Sequence, residues 1–80
     1  MAGGRPTSLT PEVRERFCRA IRAGAYVAHA APYAGVTDRV IYDWIARGEA
    51  EVEGDQLFVE FLRAYKDAES AELIDNLEAI

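Results

Sequence analysis

The chain has 80 residues and a formal net charge of −5; half of its residues are hydrophobic and 29% are charged. This length suits one small domain, and this composition is typical of a globular chain rather than a disordered one. A single cysteine excludes an internal disulfide, and no apolar run is long enough to cross a bilayer. The lone Cys18 suits a reducing cytoplasm, so we expect a cytoplasmic location. The first residues also lack the apolar stretch of a signal peptide.

Charge is distributed unevenly along the chain. Before Gly48, seven arginines stand against four acidic residues, whereas from Gly48 onward two basic residues stand against ten acidic ones. Such a split predicts two surfaces with different partners, and the basic half suits a polyanion. The alternative is that the acidic half is simply a solvated helix.

The first predicted element is a helix that follows a mobile arm. Residues 1–9 contain glycine, proline and hydroxyl residues without hydrophobic periodicity, which is typical of such an arm. Thr10-Pro11-Glu12 predicts a helix start, because threonine caps free amides, proline suits the first helical position and glutamate suits the positive helix end. Apolar residues then recur at helical spacing, namely Val13, Phe17, Ala20 and Ile21. Gly24 favours a left-handed stop.

A second, short helix is predicted around residues 26–34, and a third begins after a tight turn at residues 35–37. Thr37 is expected to cap the third helix, which runs to about Arg47. Its buried side is expected to carry Val40, Ile41, Trp44 and Ile45. Pro32 removes one hydrogen bond from the second helix, at a cost of about 3 kcal/mol. We therefore expect that helix to be kinked, or to start so late that Pro32 falls in its first turn.

The second half of the chain is predicted to hold an acidic loop and a long helix. Residues 48–56 contain two glycines and four acids, which predicts a frayed helix end and a loop. This stretch lacks the alternating ligand positions of a calcium-binding loop. A fourth helix is predicted over residues 57–80, where glycine and proline are absent. Its first half is expected to close the core with Phe58, Phe61, Leu62 and Tyr65.

The end of the fourth helix carries a second apolar stripe. Beyond a break at residues 66–70, large aliphatic residues recur at coiled-coil spacing, namely Leu73, Ile74, Leu77 and Ile80. Leaving such side chains in water forgoes roughly 1.5–3 kcal/mol for each, so we expect this stripe to mediate self-association. The alternative is that the segment folds back and completes the monomer core. The acidic neighbours of the stripe oppose parallel self-pairing and favour a basic partner or further chain.

Two short helices joined by a glycine-containing turn are typical of a helix-turn-helix, whose second helix enters the DNA major groove. Ala31 is small where the two helices cross, and Gly35 allows the positive φ of the turn. Val36, Ile41 and Trp44 are expected to fix the angle of the second helix of this motif. This recognition helix is the third predicted helix of the chain. We therefore expect an all-α, homeodomain-like bundle of three helices, followed by a longer C-terminal helix. The helix-turn-helix core spans residues 10–47.

Three stretches of the sequence resemble a known family. They read Gly-Gly-Arg-Pro-Thr-x-Leu-Thr-Pro-Glu, Ile-Arg-Ala-Gly-x-Tyr-Val-x-x-Ala-Ala-x-x-Ala-Gly-Val-Thr and Ile-Tyr-x-Trp-Ile-Ala-Arg-Gly-Glu, and they begin at Gly3, Ile21 and Ile41. The acidic loop and the helix that starts Phe58-Val59-Glu60-Phe61 look similar too. Together these stretches closely resemble the N-terminal DNA-binding region of bacteriophage terminase small subunits.

The resemblance implies a role in viral genome packaging. Small subunits of this family recognise a packaging site on viral DNA, assemble into rings and hand the DNA to the ATPase–nuclease large subunit. They have no catalytic centre of their own. The implied partners are double-stranded DNA, the large subunit and further copies of the chain, in the cytoplasm of a bacterial host cell. Family members are usually longer, so the chain is either a piece of such a protein or a short relative.

The resemblance also implies which residues face DNA. On the recognition helix they are Thr37, Asp38, Arg39, Tyr42, Asp43 and Arg47. Arg22, at the end of the first helix, is expected to contact phosphate, and the Gly-Arg-Pro arm is similar to that of site-specific recombinases, in which Arg5 would enter the minor groove. Tyr42 either stacks on the DNA backbone or packs on the edge of the core. Asp38 and Asp43 stand where the related sequences often carry arginine, serine or asparagine. A carboxylate repels phosphate, but it accepts a hydrogen bond from a cytosine amino group.

No pattern in the sequence indicates catalysis. His29 has no acid–base partner nearby in sequence, and Cys18 is expected to be half-buried rather than reactive. We therefore expect no enzyme activity, no catalytic or metal-binding residue and no cofactor. Two alternatives stay open: a short phage helix-turn-helix regulator or recombination accessory factor, and an oligomerising scaffold that does not bind DNA. The net charge of −5 speaks against DNA binding, and the basic first half answers this only in part.

Overall fold

The computed structural model describes residues 9–78, and helices make up most of this range. They are α1 (Pro11–Arg22), α2 (Val27–Ala34), α3 (Asp38–Ala50) and α4 (Gln56–Glu78). No strand occurs within the described range, so the prediction of an all-α bundle is confirmed. α4 packs against α1 and α3, and α2 packs against the same two helices. Among the described residues, no helix combines the length and the hydropathy that crossing a membrane requires.

Both predicted threonine caps are present. The hydroxyl of Thr10 accepts a hydrogen bond from the Val13 amide at 3.2 Å, and that of Thr37 accepts one from the Val40 amide at 3.3 Å. Each cap satisfies an amide that the first turn of a helix leaves without a partner, which contributes about 1 kcal/mol. Leu9 was expected to belong to the mobile arm, but it is 2% exposed and packs in the core, so that prediction is wrong for this residue. The core thus holds the start of α1 in place.

α2 starts at Val27, so Pro32 is inside the helix and not in its first turn. The prediction of a late start is therefore wrong. Proline removes the amide that would donate to the carbonyl of Ala28, but both residues are exposed, so water can donate instead. α2 ends at Gly35, whose φ of 93° is the left-handed conformation that the sequence predicts.

α3 is longer than the sequence predicts. Its end was expected near Arg47, but the helix continues to Ala50 and is followed by Glu51, which has a φ of 52°. The acidic loop is correspondingly shorter than residues 48–56, because α3 continues to Ala50 and α4 already begins at Gln56. Glycine is a poor helix former, and Gly48 therefore indicated a helix end. It is instead a buried residue within α3, at a point where α4 passes close by.

An aromatic cluster joins α1, α3 and α4. The ring centroid of Phe61 lies 5.5 Å from that of Phe17 and 5.4 Å from that of Trp44. The rings of Phe17 and Tyr65 are 5.6 Å apart. Phe17 and Phe61 are fully buried, as is Ile41 of α3. Because Phe61 contacts both other helices, it sets their positions relative to α4, and the prediction that the first half of α4 closes the core is confirmed.

The end of α4, from Leu73 onward, leaves the core. Ala68 is fully buried, so the core extends into residues 66–70, where the sequence indicated a break. Farther along, Leu73, Ile74 and Leu77 are 59%, 53% and 62% exposed. The alternative that this segment folds back into the monomer core is therefore wrong. The described part of the chain measures 51 × 24 × 18 Å, as expected when one helix projects beyond a small bundle.

Candidate nucleic-acid interface

The turn between α2 and α3 is closed by main-chain hydrogen bonds. The amide of Val36 donates to the carbonyl of Ala31, and that of Gly35 donates to the carbonyl of Pro32, each at 3.0 Å. Together with the left-handed Gly35, these two bonds form a Schellman motif, which sets the direction of the chain that follows α2. Ala31 is fully buried, as its predicted position at the helix crossing requires. The turn therefore determines how α3 leaves α2.

α3 presents one side to the core and the other to solvent. Ile41 and Trp44 are 0% and 4% exposed, and Val40 and Ile45 are half-buried beside them. The predicted buried stripe is thus confirmed, including the position of Trp44 in the core. The exposed side carries Asp38, Arg39, Tyr42, Asp43, Ala46 and Arg47. Most of the residues expected to face DNA therefore share one accessible surface.

The N-terminal end of α3 combines a cap, an acid and an arginine. Thr37 is exposed, but its hydroxyl is used as the cap of the helix. Asp38 lies in the first turn, where the positive end of the helix dipole favours a carboxylate. Arg39 is exposed, and within the described residues its side chain forms no ion pair or hydrogen bond. Its guanidinium is therefore available to an anionic partner.

Arg47 is engaged within the protein. Its Nε donates to Oδ2 of Asp43 at 3.1 Å, and its guanidinium carbon lies 5.2 Å from the ring centroid of Phe58 on α4. The Asp43 carboxylate compensates the positive charge of Arg47, and the Phe58 ring holds the Arg47 side chain against α4. Asp43 thus has a partner in the protein that the sequence reading did not assign to it. Arg47 is accordingly less available to DNA than predicted.

Tyr42 is 57% exposed, so its ring is not part of the core. It lines a groove together with Tyr26 of the α1–α2 connection and Tyr65 of α4. Of the two roles left open for Tyr42, this exposure suits contact with a partner better than packing on the core edge.

The arginines of α1 differ in their surroundings. Arg14 lies 3.9 Å from Glu60, and Arg19 lies 3.4 Å from Glu15. Exposed pairs of this kind contribute only about 0.2–1 kcal/mol. Arg22 is exposed in the last turn, and no ion pair or hydrogen bond of its side chain occurs among the described residues. Arg22 therefore remains the α1 arginine most accessible to phosphate.

Arg16 has a role that the sequence did not indicate. Its Nε and Nη2 donate to the carbonyl oxygen of Tyr33 at 3.2 and 2.9 Å, and its guanidinium carbon lies 4.8 Å from the centroid of the Tyr33 ring. This carbonyl is one of the last of α2, which a helix leaves without an internal donor. The contact ties the middle of α1 to the end of α2. The two residues are 17 positions apart, and no short-range pattern identifies such a pair.

Among the described residues, burial raises the pKa of two side chains. Burial raises the pKa of the Cys18 thiol, and the nearby charges of Arg14 and Arg22 offset this only in part. Burial and a hydrogen bond with Glu69 raise the pKa of Tyr65 to about 12. Cys18 is 9% exposed, so it is more deeply buried than the half-buried position expected. A buried thiol with a raised pKa is a poor nucleophile.

The predicted interface residues on α3 share one side of that helix, whereas Arg22 lies on another helix, at the end of α1. Two further residues that the sequence singled out, Arg5 and Ile80, lie outside the described residues. Comparison of the chain with protein-family models, with curated proteins and with solved structures gave no match.

Proposed function

We propose that this chain is a DNA-binding helix-turn-helix module, without catalytic activity or a cofactor of its own. The exposed side of α3 carries the proposal: Ile41 and Trp44 anchor the helix from below, and the turn after α2 holds it at the surface. An α-helix presented in this way fits the major groove of B-DNA, which is about 12 Å wide. Arg39 supplies a guanidinium suited to a phosphate or to the O6 and N7 atoms of guanine.

The charge on α3 limits the affinity of a single module. On the exposed side, Arg39 and Arg47 are balanced by Asp38 and Asp43. Binding by one copy is therefore weak, and it depends steeply on salt because each phosphate contact releases about 0.9 counterions. Asp38 adds selectivity rather than affinity, since a carboxylate accepts from a cytosine amino group and repels phosphate.

The biological role in this proposal is viral genome packaging. The similarity of the Gly-Arg-Pro arm, the α2–turn–α3 run and the Ile-Tyr-x-Trp run to terminase small subunits supports it. In this role the module recognises viral DNA in the cytoplasm of a bacterial host cell and passes it to the large-subunit ATPase–nuclease. A gene for a packaging ATPase beside the gene for this chain would support the role, whereas a neighbouring recombinase gene would favour a recombination accessory factor.

Self-association is the second part of the proposal. Leu73, Ile74 and Leu77 form an exposed apolar stripe on the projecting part of α4. Covering such a stripe with a second copy removes it from water. Linked modules also bind one DNA molecule more tightly than a single module does, because the second contact is intramolecular. The balanced charge of α3 is the observation that favours the scaffold alternative, in which the chain associates but does not bind DNA.

The test measures binding to duplex DNA by fluorescence anisotropy at a series of salt concentrations. We expect log K to fall linearly with log salt concentration over about 50–200 mM. Substituting Arg22 and Arg39 by alanine reduces both affinity and slope, whereas the control Arg63→Ala, on α4, changes neither. If no duplex binds at the lowest salt, or if the Arg63→Ala control weakens binding as much as the double variant, the proposal is wrong and the scaffold alternative stands.

A further inference from the structure

A groove of about 390 Å³ opens where the N-terminal end of α2, the middle of α3 and the middle of α4 meet. Three tyrosines line it, namely Tyr26, Tyr42 and Tyr65, and so do two glutamates of α4, Glu69 and Glu72. None of the described residues that line it is basic. The first two tyrosines are 79% and 57% exposed, so they form its accessible rim.

The floor of the groove is apolar. Ile21 and Val27 line it and are 5% and 9% exposed, so their side chains belong to the core beneath. An aliphatic stem placed over them would be removed from water. Arginine and lysine bury such a stem along apolar surface while the charged head stays near polar groups. The floor therefore suits a long side chain that ends in a polar or charged group.

The walls of the groove favour a positive charge on that group. The faces of exposed tyrosine rings attract cations by about 0.5–1 kcal/mol. Glu69 and Glu72 are three residues apart, which places both carboxylates on the same side of α4. The first turn of α2, at Val27, contributes at most about half a positive charge, less than the formal charge of the two carboxylates.

We propose that this groove binds a basic segment of a partner protein, with an arginine or lysine side chain between the tyrosines and its cationic head held by Glu69 and Glu72. The volume lies near the lower end of the range for small-ligand sites, about 300–1,000 Å³, which suits one long side chain rather than a folded surface. The proposal does not rest on DNA binding.

The direct test is a two-dimensional NMR titration of the 15N-labelled chain with the tripeptide Ac-Ala-Arg-Ala-NH2. The matched ligand replaces arginine by citrulline, which has the same shape without the charge. We expect the arginine peptide to shift the amide signals of Tyr26, Ala28, Tyr42 and Tyr65, with a Kd on the order of 1 mM, and the citrulline peptide to leave them in place. Equal shifts from both peptides, or shifts confined to another surface, would overturn the proposal.

Charge-matched variants test the carboxylates. Glu69→Gln with Glu72→Gln is expected to weaken binding of the arginine peptide about three- to tenfold. Glu49→Gln with Glu53→Gln makes the same change of net charge outside the groove and leaves the affinity unchanged. Equal losses in both pairs would mean a general effect of charge and would overturn the proposal. Tyr26→Ala removes an exposed ring without opening the core. It therefore tests the groove even if the variant with Glu69→Gln and Glu72→Gln fails to fold. An unchanged affinity of Tyr26→Ala for the arginine peptide would contradict the proposal.

Discussion

Gly48 of α3 lies directly against the main chain of α4 at Phe58. A Cβ atom at Gly48 would stand 2.5 Å from the carbonyl oxygen of Phe58 and 2.9 Å from the Cβ of Leu62. Glycine inside a helix costs roughly 0.5–1 kcal/mol relative to alanine, and the close approach of the two helices offsets that cost. The same approach brings Trp44 to within 5.4 Å of Phe61, measured between ring centroids.

The first prediction is that Gly48→Ala destabilises the fold despite the better helix propensity of alanine. Overpacking of this kind costs about 1–3 kcal/mol, which lowers the thermal midpoint of a domain of this size by at least about 4 °C. Thermal unfolding followed by circular dichroism measures this. Ala46→Gly, on the exposed side of the same helix, is the control and loses only about 1 kcal/mol of helix propensity. A raised midpoint in Gly48→Ala would contradict the close contact.

The second prediction concerns the two arginines of α3. Arg39→Ala is expected to lower the slope of log K against log salt by about one unit. Arg47→Ala lowers the slope by less, because Asp43 already compensates the Arg47 charge at 3.1 Å. Substituting both arginines flattens the slope by roughly one to two units. Anisotropy with one DNA duplex gives all three slopes.

A variant of the same pair provides the complementary measurement. Asp43→Asn removes a negative charge from the exposed side of α3 and releases the Arg47 guanidinium, so it is expected to raise DNA affinity. Arg47→Ala and Arg39→Ala could instead flatten the salt slope equally. That result would mean that the Arg47–Asp43 ion pair breaks when the chain binds DNA.

The third prediction separates the N-terminal arm from the fold. Deleting residues 1–6 is expected to weaken DNA binding through loss of Arg5 and to leave the thermal midpoint within about 2 °C, because chain termini contribute little to a core. Deleting residues 1–9 also removes Leu9, which is 2% exposed, and therefore lowers the midpoint clearly. Anisotropy and thermal unfolding of both deletions measure this. An unchanged footprint and affinity after the shorter deletion would rule out a minor-groove role for Arg5.

The fourth prediction concerns the projecting end of α4. Leu73→Glu with Leu77→Glu is expected to lower the mass measured by sedimentation without unfolding the bundle, because both side chains are about 60% exposed. Gln56→Glu with Ser70→Glu adds the same charge to exposed positions of the same helix and serves as the control. Loss of association in the control as well would point to charge repulsion along α4 rather than to the stripe.

The fifth prediction is a loss of stability at alkaline pH. The pKa of Tyr65 in the folded chain is about 12, above its ordinary value of 10.0. The neutral phenol is therefore favoured by folding: the contribution is fully present below pH 10 and is lost as the pH rises from about 10 to 12. Burial also raises the pKa of Cys18, which acts in the same direction.

Urea midpoints measured between about pH 8 and 11 test this linkage. Tyr65→Phe is expected to make the alkaline fall of stability shallower, whereas Tyr26→Phe, at a tyrosine that is 79% exposed, keeps the wild-type fall. The same fall in wild type and Tyr65→Phe would mean that other groups govern the alkaline limb.

Features of the fold that depend on neighbouring residues could be predicted from the sequence. The caps at Thr10 and Thr37 and the left-handed Gly35 follow from hydrogen bonds and φ preferences that span three or four residues. The buried stripe of α3 follows from helical periodicity. The exposed side of that helix, and with it most of the candidate DNA interface, could therefore be named before the structure was known.

Contacts between residues far apart in the chain decided what the sequence could not show. In the sequence, Gly48 indicates a helix end, and only the structure shows that α4 packs directly beside it. The role of Arg16 likewise depends on the fold, which places the Tyr33 carbonyl at the end of α2 within its reach. The pairing of Arg47 with Asp43 lies within one helix, but the ring of Phe58 that helps hold Arg47 comes from the next helix. The groove lined by Tyr26, Tyr42 and Tyr65 is likewise built from all four helices and the α1–α2 connection. The sequence by itself determined where α1 and α3 begin and which side of α3 is buried, because those choices are local. The tertiary structure decided which charges stay available and where a groove opens, because both depend on how the helices pack.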